Sequence, residues 1–307
     1  MIGSPFSVLV ASIFSVAILA LVIFLVFGAI GLLPRSIRLK ILYMCLLLAM
    51  AGTASILGAQ SYVNAQLNVK KLETRKVSKD PFDYPWYAIA QIYKKNGLIQ
   101  PCSATMIASN ALLTSAQCLT SVSSKSGYAL PSQLIVKLPD RKPETVIRYI
   151  IGPDFKSDKS NVPEHLNGDW AILYIRDPIE DRTPLALNQN FFKPQNNSGS
   201  VSLVSAGHAG KPGEDMEVYK NCHIYDHPLF NFFLEHSGES GLYHIHNCPE
   251  WGQAAGIPFL AENEQGYFEV TGMHSSLTAA YGAVIGIMTP VTQISEDNGI
   301  PPYKQSR

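Results

Sequence analysis

Residues 248–259, CPEWGQAAGIPF, have the layout of a loop that carries a catalytic nucleophile. A cysteine is followed by a polar, Gly-containing approach, and then by a small residue, Ala255, and by Gly256. Acyl transfer needs one group that attacks, one that accepts its proton and one that orients this base. The side chain of Ala255 is a methyl group, which cannot attack. The loop therefore predicts the frame of an acyl-transfer site without its reaction.

Two further stretches place a polar residue at the edge of an apolar run. Asp169 opens the run GDWAILYI, and Gln117 follows the run ALLTSA. An aspartate can orient a base, but an amide is not basic and takes no proton near pH 7. If the two runs lie side by side, Asp169 would accept a hydrogen bond from the Gln117 amide and hold the loop. Ser103 and Ser115 are hydroxyls close by in sequence, and neither has a basic partner that the sequence identifies.

A group of histidines is a second kind of candidate site. His244 and His246 share one face if YHIH is a strand, and three more lie nearby in sequence: His223, His227 and His236. Histidines on one strand face can bind zinc. Because no carboxylate or cysteine at a fixed spacing completes a ligand set, we interpret them as ordinary histidines. We expect no metal and no cofactor.

The cysteine count favours an exported domain. One of the five cysteines, Cys45, lies in an apolar N-terminal run, which leaves four: Cys102, Cys118, Cys222 and Cys248. An even number of cysteines in an exported domain predicts two disulfides. Four cysteines allow three pairings, and the spacing alone does not choose among them.

Two hydrophobic segments precede the rest of the chain of 307 residues. The first, residues 1–33, holds an uncharged run over 6–33; a basic loop occupies 34–40 and a second apolar segment 41–60. A helix needs roughly 20 apolar residues to cross a bilayer, and basic flanks favour the cytoplasmic side. One or two N-terminal hydrophobic helices are expected, with everything after them outside the cytosol.

Three interpretations of these segments remain open: two membrane spans, a single anchor, or a cleaved signal peptide formed by the basic loop and the second segment. All three export the remainder, so we expect an extracellular or membrane-anchored domain. Asn196 begins an Asn-Asn-Ser glycosylation sequon in that remainder. The chain carries 24 basic and 24 acidic side chains, so its net charge gives no reason to expect a nucleic-acid partner.

The remaining residues predict an all-β domain behind a linker. Residues 61–80 are polar, Lys-rich and without periodicity, and the domain takes up 81–307. Short apolar runs then alternate with turn residues: YAIAQIY, SATMIA, ALLTSA, QLIVKLP, ETVIRYIIG, WAILYI and SVSLVSAG. Regularly spaced runs of strand length with Gly, Pro and Asn between them are typical of sandwiches and barrels. A short helix is expected only near the end, at 291–296.

Several of these stretches resemble trypsin-like serine proteases, in chain order. Residues 101–119 resemble the family's histidine loop, whose two cysteines are sixteen residues apart, as Cys102 and Cys118 are. Gln117 stands at the place of the catalytic histidine. GDWAILYI resembles the strand whose aspartate orients that histidine, and here Asp169 is kept. CPEWGQAAGIPF resembles the nucleophile loop, with Ala255 at the place of the serine.

The resemblance implies a fold and a degenerate site. The fold would be two antiparallel six-stranded barrels of chymotrypsin type with a cleft between them, and the disulfides would be Cys102–Cys118 and Cys222–Cys248. The family's oxyanion hole uses two backbone N–H groups, which correspond here to Gln253 and Ala255; glycine is usual at the earlier position. YFEVTGMHSS resembles a strand that forms one wall of the substrate pocket and here supplies Gly272, His274 and Ser275.

We therefore expect an inactive homologue of serine endopeptidases, a pseudoprotease, that acts by protein binding or by regulating proteolysis. Its partner would be an active protease, the substrate of one or an inhibitor, and the N-terminal segment would supply membrane association. Two alternatives stay open. One is a serine-type endopeptidase with a non-standard catalytic centre; the other is a membrane-tethered structural or adhesive β domain unrelated to proteases.

Overall fold

The structure is a computed structural model. It describes the residues numbered 75–77, 80, 82–95, 102–120, 127–153, 155, 168–189, 191, 201–208, 216–225, 244–246, 248, 254–280, 283–291 and 294. Both N-terminal hydrophobic segments, the basic loop and the sequon at Asn196 lie outside the described residues. Within the described part, no helix is both long and apolar enough to cross a membrane.

The described chain is almost entirely β-structure. In chain order its strands are β1 (Arg75–Val77), β2 (Ile89–Lys94), β3 (Cys102–Ala108), β4 (Ala111–Thr114), β5 (Leu134–Lys137), β6 (Glu144–Ile151), β7 (Ala171–Ile175), β8 (Ala186–Leu187), β9 (Val201–Gly207), β10 (Glu217–Tyr225), β11 (His244–His246), β12 (Pro258–Glu262), β13 (Phe268–Ala280) and β14 (Ala283–Pro290). Three short 3-10 helices accompany them, at Trp86–Ala88, Ala116–Leu119 and Pro131–Gln133. Each of the seven apolar runs that predict strands contains one, which confirms the expectation of a β domain.

Six of these strands close a barrel in the order β2-β3-β4-β7-β6-β5, and each neighbouring pair is antiparallel. Closure leaves no free edge whose N–H and C=O groups lack a strand partner. A closed antiparallel barrel of six strands is compatible with the chymotrypsin-like fold that the resemblance implies.

The other eight strands form one sheet in the order β1-β10-β11-β14-β13-β12-β9, with β8 added parallel to β13. Strand β9 pairs with β12 and also with β10. Strand β1 lies within the stretch expected to be a linker, and it pairs antiparallel with β10 so that Lys76 faces Tyr219. The domain's strands therefore begin before residue 81.

One continuous apolar core fills the barrel and extends to the sheet. Strand β3 is buried at six of its seven positions, so it shows no alternation of buried and exposed residues. The barrel interior covers one of its faces, and β9 and β12 lie against the strand as well. Leu112, Leu113 and Leu173 are fully buried in this core, which also takes in Val270 and Met273 of β13.

The expected helix at 291–296 falls largely outside the described residues. Strand β14 runs to Pro290, and of the following six positions only Val291 and Ile294 are described, both of them buried. The end of the strand is therefore fixed, and the helix stays a prediction.

Candidate functional site

Strand pairing in the barrel brings the candidate residues together. Thr114, the last residue of β4, pairs with the first residue of β7. The residues just after β4 therefore lie beside Asp169, which stands two positions before β7. Ser115 caps the 3-10 helix that follows, because its side chain accepts a hydrogen bond from the backbone N–H of Gln117. This cap places Ser115 and Gln117 so that both can donate hydrogen bonds to Asp169.

Asp169 is completely buried, and both oxygens of its carboxyl group accept hydrogen bonds. Ser115 Oγ lies 2.7 Å from Oδ1 and 2.8 Å from Oδ2. The backbone N–H of Gln117 donates to Oδ1 over 3.0 Å, and the hydroxyl of Ser275 donates to Oδ2. An ionised carboxylate only accepts, and it does so at both oxygens, which suits the donors that surround Asp169: the Ser115 and Ser275 hydroxyls and the Gln117 N–H. Asp169 is therefore a buried anion held by neutral donors.

Two opposing effects act on the pKa of Asp169. Burial, the larger effect, raises the pKa, whereas the hydrogen bonds from Ser275, Ser115 and Gln117 lower it. Removal from water disfavours the charged form, and donors that point at the carboxylate favour it. These donors therefore offset part of the free-energy cost of burying the charged carboxylate.

The Gln117 side chain joins Asp169 to the sheet. Its Nε2 lies 3.1 Å from Asp169 Oδ2 and 3.2 Å from Ser275 Oγ on β13. The hydrogen bond from the amide to Asp169 that the sequence suggests is thus present. An amide in this place orients its neighbours through hydrogen bonds, but it has no basic lone pair that could accept a proton from a nucleophile.

Ala255 lies next to the disulfide-bonded loop. It forms an isolated parallel bridge with Cys102, and its carbonyl accepts a hydrogen bond from the Ser103 N–H over 3.0 Å. The residue is only 3% exposed. Ala255, which the resemblance places at the position of a serine, is therefore packed against the barrel, close to the chain segment that carries Gln117.

Gly256 is required where this loop meets the barrel. Its φ is +73°, and a Cβ atom there would lie 2.3 Å from Ser103 O and 2.3 Å from Thr114 Oγ1. A side chain is disfavoured at this φ by about 1–2 kcal/mol, and overpacking costs about 1–3 kcal/mol more. We expect Gly256→Ala to lower the free energy of unfolding in urea by about 2–4 kcal/mol.

Gly266 provides a matched control for this prediction. Its φ is +81°, but the nearest atom to a Cβ there would be Glu262 Oε1 at 3.8 Å. Gly266→Ala should therefore show the backbone effect alone, about 1–2 kcal/mol. Equal losses in the two variants would mean that the close approach of the loop at Gly256 does not matter.

The three residues expected in a pocket wall all lie on β13, and they differ in surroundings. Gly272 pairs with Phe259 of β12. The carbonyl of His274 accepts from the Gly256 N–H over 2.8 Å, and its N–H donates to the Ile257 carbonyl over 2.7 Å. Ser275 instead directs its side chain to Asp169. Gln253, the other oxyanion-hole position, lies outside the described residues.

A buried pair of histidines adjoins this strand. His246 Nε2 lies 2.9 Å from His274 Nδ1, and the N–H of Cys248 donates to His246 Nδ1 over 3.2 Å. His246 Nδ1 accepts, so the hydrogen of the neutral ring sits on Nε2 and is donated to His274. His274 therefore carries its own hydrogen on Nε2, a buried atom without a partner among the described residues.

Burial keeps both rings neutral. It lowers the pKa of His246 well below 6.5, with a further contribution from the neighbouring His274. It also lowers the pKa of His274 to about 3. A cationic imidazole without a carboxylate partner is costly in such surroundings.

The disulfides fix the two ends of the site. Cys102 pairs with Cys118 and Cys222 pairs with Cys248, which is the pairing that the resemblance implies. The first bond ties β3 to the helix that carries Gln117, and the second ties β10 to the segment that follows His246. Two disulfides indicate folding in an oxidising environment such as the extracellular space.

Sequence reasoning missed two contributions to the site. It identified Ser115 only as a hydroxyl without a base, whereas Ser115 caps a helix and donates to Asp169. A serine directly before a helical turn is a common cap, so this signal was available. It also left the histidines as ordinary ones, because the contact between His246 on β11 and His274 on β13 depends on how the strands are arranged in the sheet. The described residues include no cluster of three or more His, Cys, Asp or Glu that could hold a metal ion.

The arrangement can bind and orient, and it lacks both a base and a nucleophile at the positions where the resemblance expects them. No protein-family model matches this chain, and no curated protein matches it either.

Proposed function

We propose that the chain is a catalytically inactive homologue of trypsin-like serine proteases that acts by binding a protein partner. The observation that carries this proposal is the hydrogen bonding of Asp169. Its two oxygens are occupied by Ser115, Gln117 and Ser275. An aspartate that orients a catalytic base needs an imidazole as its partner, and here an amide and two hydroxyl groups take that place.

The chemistry of the two substituted positions supports the same conclusion. Ala255 offers no oxygen to attack a carbonyl group, and Gln117 offers no base. The one hydroxyl close to Asp169 on the barrel side, Ser115, is fully buried and has no neighbouring histidine among its hydrogen-bond partners. Loss of the nucleophile or of the base of a triad costs on the order of 10⁶ in turnover, and here both positions are replaced.

We also propose that strands β9 to β14 form a second six-stranded barrel. The pairings β9–β10, β10–β11, β11–β14, β14–β13, β13–β12 and β12–β9 return to their starting strand. Such a cycle is the connectivity of a closed barrel. Together with the disulfide pairing, it supports the protease-like architecture over an unrelated adhesive β domain.

The proposal also places the domain outside the cytosol, either anchored or released. The disulfides support this location, and the hydrophobic segments at residues 1–33 and 41–60 would supply the anchor or the export signal. Sequencing the N-terminus of the protein purified from a eukaryotic membrane fraction and from the culture medium distinguishes the two forms.

Hydrolysis and active-site labelling test the proposed function. We expect the wild-type protein to show no turnover of peptide p-nitrophenyl esters above the buffer rate, and no labelling by a fluorophosphonate. Active trypsin in the same assay shows the sensitivity. Specific labelling of one serine, with hydrolysis that disappears in Ser115→Ala while the fold is retained, would instead establish an endopeptidase with a relocated nucleophile.

A further inference from the structure

The hydrogen bonds around Gln117 fix which end of its amide points where. Asp169 Oδ2 can only accept, so the nitrogen of the Gln117 amide must face it; the reverse orientation would set Oε1 against a carboxylate. The same nitrogen also meets Ser275 Oγ. The oxygen of the amide consequently points away from this cluster.

The Gln117 side-chain oxygen, Oε1, is a hydrogen-bond acceptor that has a fixed orientation and remains accessible. Gln117 is half-buried, and none of the described groups donates a hydrogen bond to its Oε1. Two hydrogen bonds from Nε2 to buried groups restrict the terminal torsion of the side chain. Binding to an acceptor that is already oriented loses less conformational entropy than binding to a freely rotating glutamine.

We infer that Gln117 is a specificity residue that binds a hydrogen-bond donor of an extended peptide, through either a backbone N–H or a terminal ammonium group. This inference rests on the proposed function, because the peptide is bound and not cut. An imidazole at this position would change from acceptor to donor as it gains a proton. The amide remains an acceptor at every pH, so the preference for a donor is built in.

Replacement of Gln117 by two different residues tests the inference. Methionine has a similar size but removes both the acceptor and the bond to Asp169. A neutral histidine keeps both functions, because Nδ1–H can donate to Asp169 while Nε2 presents a lone pair outwards. Protonation then converts that lone pair into a donor, with an ordinary pKa near 6.5.

The probe is a library of random hexapeptide amides, made with free and with acetylated N-termini and selected on the wild-type domain. We expect Gln117→Met to weaken binding of a selected hexapeptide by about tenfold. Gln117→His should bind it within about threefold of wild type at pH 8 and about tenfold more weakly at pH 5.5. The wild-type protein should change little between these pH values. If Gln117 has a purely structural role, the affinity of Gln117→His for the peptide should not differ between pH 8 and pH 5.5. Urea unfolding confirms that each variant is folded.

Chemical changes in the selected peptide identify the donor. If it is a backbone N–H, methylation of one amide nitrogen weakens binding to wild type and has no further effect in Gln117→Met. If the donor is the ammonium group, acetylation of the N-terminus weakens binding to wild type and has no further effect in Gln117→Met.

Equal affinities of wild type, Gln117→Met and Gln117→His at both pH values would overturn the inference, as would a library from which no hexapeptide binds. Cleavage of the bound peptide would contradict the proposed function. If the peptide binds without being cleaved and its affinity does not depend on Gln117, only this inference is contradicted.

Discussion

Asp169→Ala is expected to lower the free energy of unfolding by about 3–5 kcal/mol. The substitution removes the carboxylate that accepts from the Ser115 and Ser275 hydroxyls, and it leaves the Gln117 N–H with Ser115 Oγ as its remaining acceptor. Each unsatisfied buried donor costs about 1–3 kcal/mol, and hydrogen bonds to a charged group are stronger than neutral ones. The gain from no longer burying a charge offsets part of this loss, so the sum stays below the total for three lost bonds. Urea unfolding at pH 7 measures it.

Two further variants connect this loss to the hydrogen bonds. Asp169→Asn keeps the volume and one acceptor oxygen, so it should cost less than alanine. Ser275→Ala should cost about 1–2 kcal/mol in the wild type and much less when Asp169 is already alanine, because contacts that share one partner are not additive. Additive losses, or a loss below 1 kcal/mol for Asp169→Ala, would show that the network does not hold the two parts of the site together.

Much of the frame of this site could be predicted from the sequence. The apolar runs between turn residues predict the strands, since each run is of strand length and bounded by Gly, Asn or Pro. The spacing of Cys102 and Cys118 and the glycine after Ala255 indicate the loops that carry the site. These signals are local, because strand ends and turns depend on residues that are close together in the sequence.

The contacts that close the site could not be predicted in the same way. Asp169 meets Ser275 across 106 positions of sequence, and His246 meets His274 across 28. Such pairs depend on which distant strands become neighbours, and the apolar pattern of a single strand does not specify this. Strand β1 could not be predicted for a related reason. Its short basic sequence has no apolar pattern, and its partner on β10 lies more than 140 positions away.

Acid is expected to destabilise the domain through its two buried histidines. From His274 alone we expect a loss of about 2 kcal/mol in the free energy of unfolding between pH 6.5 and pH 4.5, and His246 adds to this loss. A chemical denaturation series across this range measures the loss. The buried pair is the physical cause, because His246 and His274 stay neutral in the folded protein and become charged only when the chain unfolds.

The direction follows from where each form binds protons. In the unfolded chain both histidines have a pKa near 6.5, whereas burial lowers the pKa of His274 to about 3 in the folded protein and that of His246 well below 6.5. Below pH 6.5 the unfolded chain therefore binds more protons, and acid favours it. The stabilisation is complete above pH 6.5 and is lost as the pH falls towards the lower folded values. Asp169 acts in the opposite sense, because its raised pKa favours the folded form in acid.

His274→Asn separates the histidines from every other titrating group. Its Oδ1 can replace Nδ1 as the acceptor for His246 Nε2–H, so the hydrogen bond is kept while one titrating ring is removed. His274 should contribute about 1.4 kcal/mol per pH unit to the slope of the free energy of unfolding against pH, so the slope of His274→Asn should be smaller by about this amount. Asp169 contributes equally to both proteins, so the difference between their slopes belongs to His274. Identical slopes for wild type and His274→Asn would mean that His274 is not held neutral in the folded protein, and the buried pair would then have no part in acid sensitivity.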